Sequence, residues 1–309
     1  MAIGFNLSNK IGGAGAEIYI DNVKMLPQPK KVMIKNINET LINLIREIST
    51  LPYSFDGGSA VVFNNEIHIL GGQNNGTKHY KWNGTAWTEV STLPYDFFES
   101  SAVVYNGEIH ILGSFKSSAG TKHYKWNGTS WTEVSTLPYG FHSGSAVVYN
   151  GEIHMLGGSN NGTKHYKWNG TTWTEVYTLP YNFNGESTVI YNGEIHILGG
   201  SDTRTKHYKW NGTSWTEVST LPYNFYGGSA VVYNNEIHIL GTYNSGASTK
   251  HYKWNGTSWT EVSTLPYDFY NGSAVVFNNE THILGGSGDS FKHYLISIII
   301  DKIIEAIIN

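Results

Sequence analysis

Short apolar segments alternate along this chain with pairs of turn residues and with polar segments that carry aromatic side chains. In one copy, an apolar run over residues 145–149 is followed by Asn150-Gly151 and by a second run over residues 152–156. Asn-Gly between two β-prone runs is a strong hairpin signal, because both turn residues must accept a positive φ. Two further runs, over residues 164–168 and 173–178, complete the copy. The pattern predicts a meander of four antiparallel strands, named A to D in chain order.

This four-strand unit repeats at a nearly fixed interval. A Leu-Pro-Tyr marker recurs every 42 to 44 residues, beginning at Leu51, Leu93, Leu137, Leu179, Leu221 and Leu265. Self-similarity with a period of this size indicates a propeller, a solenoid or another array. Proline cannot donate to a strand ladder, so each D strand is expected to end at the marker.

The repeat carries a second set of marks. In the first copy, strand B ends in Gly71-Gly72, Tyr80 follows in strand C, and Trp87 opens strand D, with six residues between that tyrosine and the tryptophan. The third copy has the same marks at Gly157, Gly158, Tyr166 and Trp173. These residues resemble the Kelch repeat, over about four fifths of the chain. The resemblance implies a β-propeller in which strand A lines a central channel and strand D is outermost.

The sequence predicts six blades. The A–B hairpin occurs six times, starting at Ser59, Ser101, Ser145, Ser187, Ser229 and Ser273. The tryptophan-led D strand occurs five times, at Trp87, Trp131, Trp173, Trp215 and Trp259. Residues 45–53 align with this D strand, so we predict that an N-terminal strand at about residues 45–51 completes the last blade and closes the ring. Closure would remove the exposed sheet edges that promote aggregation.

The two ends do not match the repeat. We assign residues 1–40 to a β-rich N-terminal segment, residues 41–295 to an all-β, six-bladed Kelch-type propeller, and residues 296–309 to a C-terminal amphipathic helix. Helical spacing of Ile300, Ile303, Ile304 and Ile307 supports the helix. Its apolar stripe is expected to pack either on residues 1–40 or on another chain, which leaves a homo-oligomer open.

Composition excludes several classes of function. Charged residues make up 14% of the chain, its net charge is −4, and its two arginines are Arg46 and Arg204. No basic stripe of the kind that binds nucleic acid is present. The chain has no cysteine, which excludes disulfides and thiolate metal sites. The Ile-rich tail is too short and too charged to span a bilayer. Residues 1–7 lack the features of a secretion signal, so we expect synthesis in the cytoplasm.

The most repeated side chains are expected to have packing roles. Ten tryptophans and twelve of the thirteen histidines recur in every blade or nearly so. Sugar stacking on the tryptophans and metal binding by the histidines are possible in principle. Packing is favoured because a functional site normally breaks the symmetry of a repeat. A phenylalanine in each D–A connection is likewise expected to pack between blades. We therefore predict neither a bound metal nor a cofactor.

Variation between the repeats is concentrated in the B–C and D–A connections, which lie on one face of a propeller. The A–B and C–D turns of the opposite face hardly change. Variable loops on a rigid scaffold are typical of recognition. The longer B–C loops belong to blades two and five, which stand opposite each other in a ring of six. The predicted ligand-binding residues are Asp56, Phe98, Phe115, His142, Asn184, Arg204, Tyr226, Tyr243 and Tyr270.

These observations favour a non-catalytic binding protein. The cross-linked cysteine of galactose oxidase, which also carries Kelch repeats, has no counterpart here. Two arginines cannot supply the arginine triad of sialidase propellers. Near-identical short blades and non-propeller ends resemble a bacteriophage or phage-tail-like surface protein. The expected partners are a bacterial surface glycan or protein on the loop face, or a virion protein that contacts residues 1–40 and 296–309. An intracellular adaptor and a lectin-like module remain as alternatives.

Overall fold

The computed structural model describes residues 43–298 except Ser117, Asn160, Glu186, Asp202, Thr203, Asn244 and Ser245. Within this range the chain is all-β and forms 24 strands, in six antiparallel sheets of four strands each. No helix that could cross a bilayer occurs in the described part of the chain. The predicted segment of residues 1–40 lies outside the described residues.

Each sheet has the strand order A–B–C–D. The A strands are β2 (Ser59–Phe63), β6 (Ser101–Tyr105), β10 (Ser145–Tyr149), β14 (Ser187–Tyr191), β18 (Ser229–Tyr233) and β22 (Ser273–Phe277). The B strands are β3 (Glu66–Leu70), β7 (Glu108–Leu112), β11 (Glu152–Leu156), β15 (Glu194–Leu198), β19 (Glu236–Leu240) and β23 (Glu280–Leu284). The C strands are β4 (His79–Trp82), β8 (His123–Trp126), β12 (Lys164–Trp168), β16 (Lys206–Trp210), β20 (Lys250–Trp254) and β24 (Lys292–Ile298). The D strands are β5 (Trp87–Glu89), β9 (Trp131–Glu133), β13 (Trp173–Thr178), β17 (Trp215–Thr220), β21 (Trp259–Thr264) and β1 (Asn43–Thr50).

The six A strands are neighbours around a closed ring. Each contacts the A strands of the two adjacent blades, and β22 returns to contact β2. Strand D is at the opposite edge of each sheet, so it is the outermost strand. The described chain is therefore a six-bladed β-propeller, as the repeat pattern predicts.

The A–B hairpins have the predicted two-residue turns. In blade two, Tyr105 pairs with Glu108 across the turn, and the φ angles of Asn106 and Gly107 are 49° and 75°. Two successive residues with positive φ define a type I′ turn, whose twist matches that of the strands. The Asn-Gly and Asn-Asn pairs in the sequence therefore fix the register of each hairpin.

An N-terminal strand closes the ring. β1 pairs antiparallel with β24, and its register places Glu47 opposite Tyr294 and Thr50 opposite Lys292. Lys292 Nζ lies 2.8 Å from Glu47 Oε2, where the other blades have a Lys–Glu pair between strands C and D. The predicted closure is thus confirmed. β24 continues to Ile298, so residues 296–298 are strand rather than the start of the predicted C-terminal helix, and the rest of that helix lies outside the described residues.

The hydrophobic core lies between adjacent blades. In one cluster, Phe97 of a D–A connection packs with Leu70 of blade one and with Ile109 and Ile111 of blade two. The corresponding phenylalanines are fully buried at Phe55, Phe97, Phe141, Phe183, Phe225 and Phe269. Their packing role agrees with the prediction.

The repeated histidines form a buried pair in every blade. His282 Nδ1 lies 2.8 Å from His293 Nε2, and the same contact recurs in the other five blades. Ser49 Oγ lies 2.9 Å from His293 Nδ1 and accepts a hydrogen bond from Trp87 Nε1 of the next blade at 3.1 Å. A consistent direction of donation runs from Trp87 through Ser49 and His293 to His282, with both imidazoles neutral. These polar groups therefore link neighbouring blades.

Candidate functional site

The B–C and D–A connections are hydrogen-bonded to one another, so they form one face, here called the loop face. The backbone N–H of Phe115 donates to the carbonyl oxygen of Phe98 at 2.9 Å, and Tyr243 donates in the same way to Tyr226 at 2.7 Å. The two longer B–C loops therefore lie on the same face, in opposite blades, as the sequence predicts.

A closed ring of backbone hydrogen bonds lies at the centre of the loop face, and sequence analysis missed it. Each D–A connection supplies one residue whose N–H donates to the carbonyl oxygen of its counterpart in the preceding blade, at 2.6–2.8 Å. The six members, here called the central ring, are Gly57, Glu99, Ser143, Gly185, Gly227 and Asn271. All six have positive φ, between 47° and 79°. The central ring ties the six blades together around the channel.

At two positions a glycine of the central ring leaves space for an aromatic side chain of the next blade. Phe98 occupies the space where a side chain of Gly57 would lie, and Tyr226 does the same at Gly185. Gly227 precedes Tyr270 in the same way, but a Cβ atom at Gly227 would lie 3.1 Å from Asn271 Oδ1, and no atom of Tyr270 would be within 4 Å of it. The ring residue carries a side chain in the pairs Glu99/His142, Ser143/Asn184 and Asn271/Asp56. Gly57 and Gly185 therefore allow Phe98 and Tyr226 to pack at the channel mouth.

A depression of about 160 Å³ lies over the central ring. Its side-chain lining includes Glu99, Ser143, Tyr226 and Asn271, and glycine backbone provides most of the remaining surface. Ser143 Oγ donates to Glu99 Oε2 at 3.2 Å, which links two of the lining side chains. Serine and glutamate rarely adopt a positive φ because Cβ crowds the backbone, so no simple sequence pattern marks these two residues.

The structure brings three predicted residues of blades two and three into one aromatic cluster. Phe98 contacts Phe115 with ring centres 5.9 Å apart, and Phe115 contacts His142 at 5.2 Å, both edge to face. Phe115 is 53% exposed, whereas Phe98 is buried. Phe98 therefore forms the buried base of the cluster, and Phe115 forms its solvent-exposed surface. Burial lowers the pKa of His142, opposed by the nearby Glu99 carboxylate.

A second cluster stands across the central ring, in blades five and six. Tyr243 contacts Tyr226 at 6.2 Å and Tyr270 at 5.2 Å between ring centres. Tyr243 is 45% exposed. The guanidinium carbon of Arg204 lies 5.2 Å from the centre of the Tyr226 ring, within the range of cation–π attraction. Four predicted residues are thus collected into one patch.

The remaining two predicted residues belong to other blades than the two clusters. Asp56 precedes strand A of blade one, and Asn184 precedes strand A of blade four. Asp56 Oδ2 accepts a hydrogen bond from Ser287 Oγ at 2.9 Å, and Asn184 Oδ1 accepts one from Ser159 Oγ at 3.4 Å. Burial raises the pKa of Asp56, while hydrogen bonds from Ser287 and Asn271 act in the opposite direction. Both residues are half-buried and help to hold their loops.

Hydroxyl groups fix the D–A connections beside the two long loops. Ser114 Oγ donates to the carbonyl oxygen of Asp96 at 2.6 Å and accepts from the N–H of Phe98 at 3.2 Å. Thr242 Oγ1 makes the equivalent contacts with Asn224 and Tyr226, at 2.7 and 3.1 Å. The other four blades have a second glycine at this position, and its replacement in blades two and five was the sequence signal. Ser114 and Thr242 therefore orient the residues that support each aromatic cluster.

The paired histidines are unsuited to binding a ligand from solvent. Burial lowers the pKa of His68 to about 4 and that of its partner His79 to about 3. All twelve are buried between the blades. Among the described residues, no three His, Asp or Glu side chains are grouped so that they could hold a metal ion.

Comparison with known proteins gives the class of fold. No protein-family model matches the chain, and no curated protein matches it. A solved structure titled "Structure of YjhT" aligns with a TM-score of 0.72 and 17% sequence identity, over 82% of this chain and 97% of that chain. At this identity the similarity shows the fold alone, which is that of a six-bladed β-propeller.

Proposed function

We propose that this chain is a non-catalytic, Kelch-type binding module, carried on the surface or tail of a bacteriophage or phage-tail-like particle. Its loop face would bind a glycan or protein on the bacterial surface. The observation that carries this proposal is the pair of aromatic clusters across the central ring, each with one exposed ring, Phe115 or Tyr243. Aromatic side chains that combine large contact area with few rotatable bonds are favoured in recognition surfaces.

A role without catalysis is supported by the distribution of titratable groups. The paired histidines are held by each other inside the blades, and the surface Lys–Glu pairs recur from blade to blade. Symmetry is broken in the loops, where aromatic and amide side chains such as Phe115, Asn184 and Tyr243 occur at positions that differ between blades. In a virion-associated protein, residues 1–40 and 296–309 would provide the attachment to the particle. An intracellular adaptor would use those same ends to contact a cellular protein instead.

The test is binding of labelled protein to intact bacteria and, separately, to bacterial lysate. We expect the double variant Phe115→Ala/Tyr243→Ala to lose at least tenfold in affinity for cells, since aromatic anchors at interface centres often contribute that much. Tyr177→Ala is the matched control, because Tyr177 is 52% exposed but belongs to an outer D strand. Unchanged cell binding by the double variant would contradict the proposal. Binding to a lysate protein alone, unaffected by either change, would favour the adaptor.

A further inference from the structure

The depression over the central ring has a chemical character that narrows the choice of ligand. Glu99 is the one carboxylic acid among its described lining residues, and no lysine, arginine or histidine is among them. A second carboxylate, that of Asp56, is hydrogen-bonded to Asn271 on the same side of the ring. An anionic ligand would meet repulsion here, whereas a neutral or positively charged ligand would not.

The positive charges of the loop face lie outside the depression. Arg204 stands against the ring of Tyr226, and its Nε donates to the carbonyl oxygen of Ser201 at 3.3 Å. Lys116 is an exposed residue of the long loop in blade two. His142, beside Glu99, has a pKa lowered by burial and is neutral at neutral pH. Arg204, Lys116 and His142 therefore do not neutralise the negative charge of Glu99 at the depression.

The polar side chains at the depression match a ligand rich in hydroxyl groups. The carboxylate of Glu99 accepts hydrogen bonds, the hydroxyl of Ser143 donates to Glu99 and can accept, and the amide of Asn271 has both donors and an acceptor. Tyr226 adds an aromatic surface at the wall. The volume of about 160 Å³ is small beside sites for drug-sized ligands, which span about 300–1,000 Å³, and suits a single sugar ring.

The backbone conformation of Glu99 and Ser143 also indicates a binding site. Glu99 and Ser143 have φ angles of 47° and 53°, whereas three of the other ring positions carry glycine. A residue with a side chain is disfavoured in this conformation, and such strained positions are concentrated at binding sites. Glycine at residues 99 and 143 would relieve the backbone strain of a positive φ. The chain instead has two polar side chains there, and both residues line the depression.

We propose that the depression binds one neutral or basic sugar unit of a surface glycan, and that Glu99 selects against acidic sugars. This proposal rests on the proposed function, because it assumes that the loop face recognises a glycan. Phe115 and Tyr243, on opposite sides of the central ring, would then contact neighbouring sugar units of the same glycan.

The test is calorimetric titration with three sets of oligosaccharides of equal length, built from neutral hexoses, from glucosamine and from uronic acids. Binding of a neutral or glucosamine oligosaccharide is expected, with a loss of at least tenfold in Glu99→Gln, because a hydrogen bond to a charged acceptor is replaced by a weaker one to a neutral amide. Glu133→Gln, on an outer D strand, is the control and should bind like the unchanged chain. Glu99→Gln keeps the size of the side chain, so folding is expected to be preserved.

Three outcomes would overturn the proposal. Uronic acid oligosaccharides could bind best, with affinity raised in Glu99→Gln and lost in Arg204→Ala. Glu99→Gln could leave sugar and cell binding unchanged while Phe115→Ala/Tyr243→Ala abolishes cell binding. In that case the loop face binds cells as proposed, but Glu99 does not select the sugar. Protease treatment of the cells could abolish binding while periodate treatment does not, which would identify a protein receptor. Absence of binding to every sugar and to cells would reject the function as well.

Discussion

The ring of Phe98 packs directly over Gly57, in the space that a Cβ atom at residue 57 would occupy. The two residues belong to successive D–A connections, and the N–H of Glu99, next to Phe98, donates to the carbonyl oxygen of Gly57 at 2.8 Å. Tyr226 packs over Gly185 in the same manner. At these two positions the aromatic side chain depends on a glycine in the preceding blade.

Gly57→Ala should be destabilising for two separable reasons. Alanine is disfavoured at the φ of 67° by about 1–2 kcal/mol, and its Cβ would also overlap Phe98, which adds about 1–3 kcal/mol for crowding. Gly107→Ala is the matched control, because Gly107 has a φ of 75° and no atom within 4 Å of an added Cβ. Urea unfolding should show a larger loss of unfolding free energy for Gly57→Ala than for Gly107→Ala.

The same comparison in a Phe98→Ala background isolates the contact. With the aromatic ring removed, Gly57→Ala and Gly107→Ala should cost the same free energy within about 0.5 kcal/mol. Equal costs in the unchanged background would mean that Phe98 moves aside freely, and that it does not fix the residue at position 57.

Local signals explain why the fold could be predicted from the sequence. Asn106-Gly107 sets a type I′ turn without help from distant residues, and Leu51 to Tyr53 repeat the marker that ends the other D strands, which revealed the closing strand. Glu99 and Ser143 gave no such signal, since their positive φ is imposed by hydrogen bonds between blades.

The structure gives the predicted site residues an arrangement that the sequence alone did not show. Periodicity placed Phe98 and Phe115 in variable loops, yet it could not show that one is buried and the other is 53% exposed. That difference arises from the missing side chain of Gly57, in another repeat. Contacts between repeats decide exposure, and comparison of the repeats one by one does not include them.

The buried histidine pairs should make the propeller sensitive to acid. Burial lowers the pKa of His238 to about 4 and that of His251 to about 3, below the unfolded value of about 6.5. The unfolded chain therefore binds more protons than the folded chain between these values. Stability should be fully present above pH 6.5 and should fall as the pH drops towards 4, by up to about 1.4 kcal/mol per pH unit for each histidine. Urea unfolding at pH 8, 7, 6 and 5 measures this slope.

His142 provides the control for the acid effect. It lies outside the paired set and is only half-buried, so His142→Asn should leave most of the slope unchanged. Histidine titration followed by NMR gives a second measure, and the paired imidazoles should remain neutral at pH 6. Stability that is constant from pH 8 to pH 5 would show that the folded pairs take up protons readily.

Tyr177→Ser should stabilise the chain. Tyr177 stands opposite His165, where Ser219 stands opposite His207 in the next blade. Ser219 joins His207 Nδ1 at 3.3 Å to Trp259 Nε1 at 3.2 Å, whereas His165 Nδ1 and Trp215 Nε1 have no hydrogen-bond partner among the described residues. Serine would satisfy both buried groups, with a gain of about 1 kcal/mol in unfolding free energy.

Tyr177→Ala separates the new hydrogen bonds from the loss of the tyrosine ring, which lies 5.4 Å from the ring of Trp210. Alanine removes the same aromatic contact but supplies no hydroxyl, so the serine variant should exceed it in stability by at least about 0.5 kcal/mol. If the two variants unfold at the same urea concentration, the serine does not bridge the blades at this position.

Removal of β1 should convert a closed propeller into one with an exposed sheet edge. A chain that starts at Leu51 keeps the buried leucine but leaves the backbone groups of β24 unpaired along one side, and it loses the ion pair between Glu47 and Lys292. Unpaired edges recruit other chains, so we expect oligomers in analytical ultracentrifugation, together with a lower urea midpoint.

A chain that starts at Asn43 is the control. A synthetic peptide of residues 43–50 should restore the monomer when added in excess, because its partner strand is already in place. A truncated chain that stays monomeric and as stable as the control would mean that the pairing of β1 with β24 does not close the ring in solution.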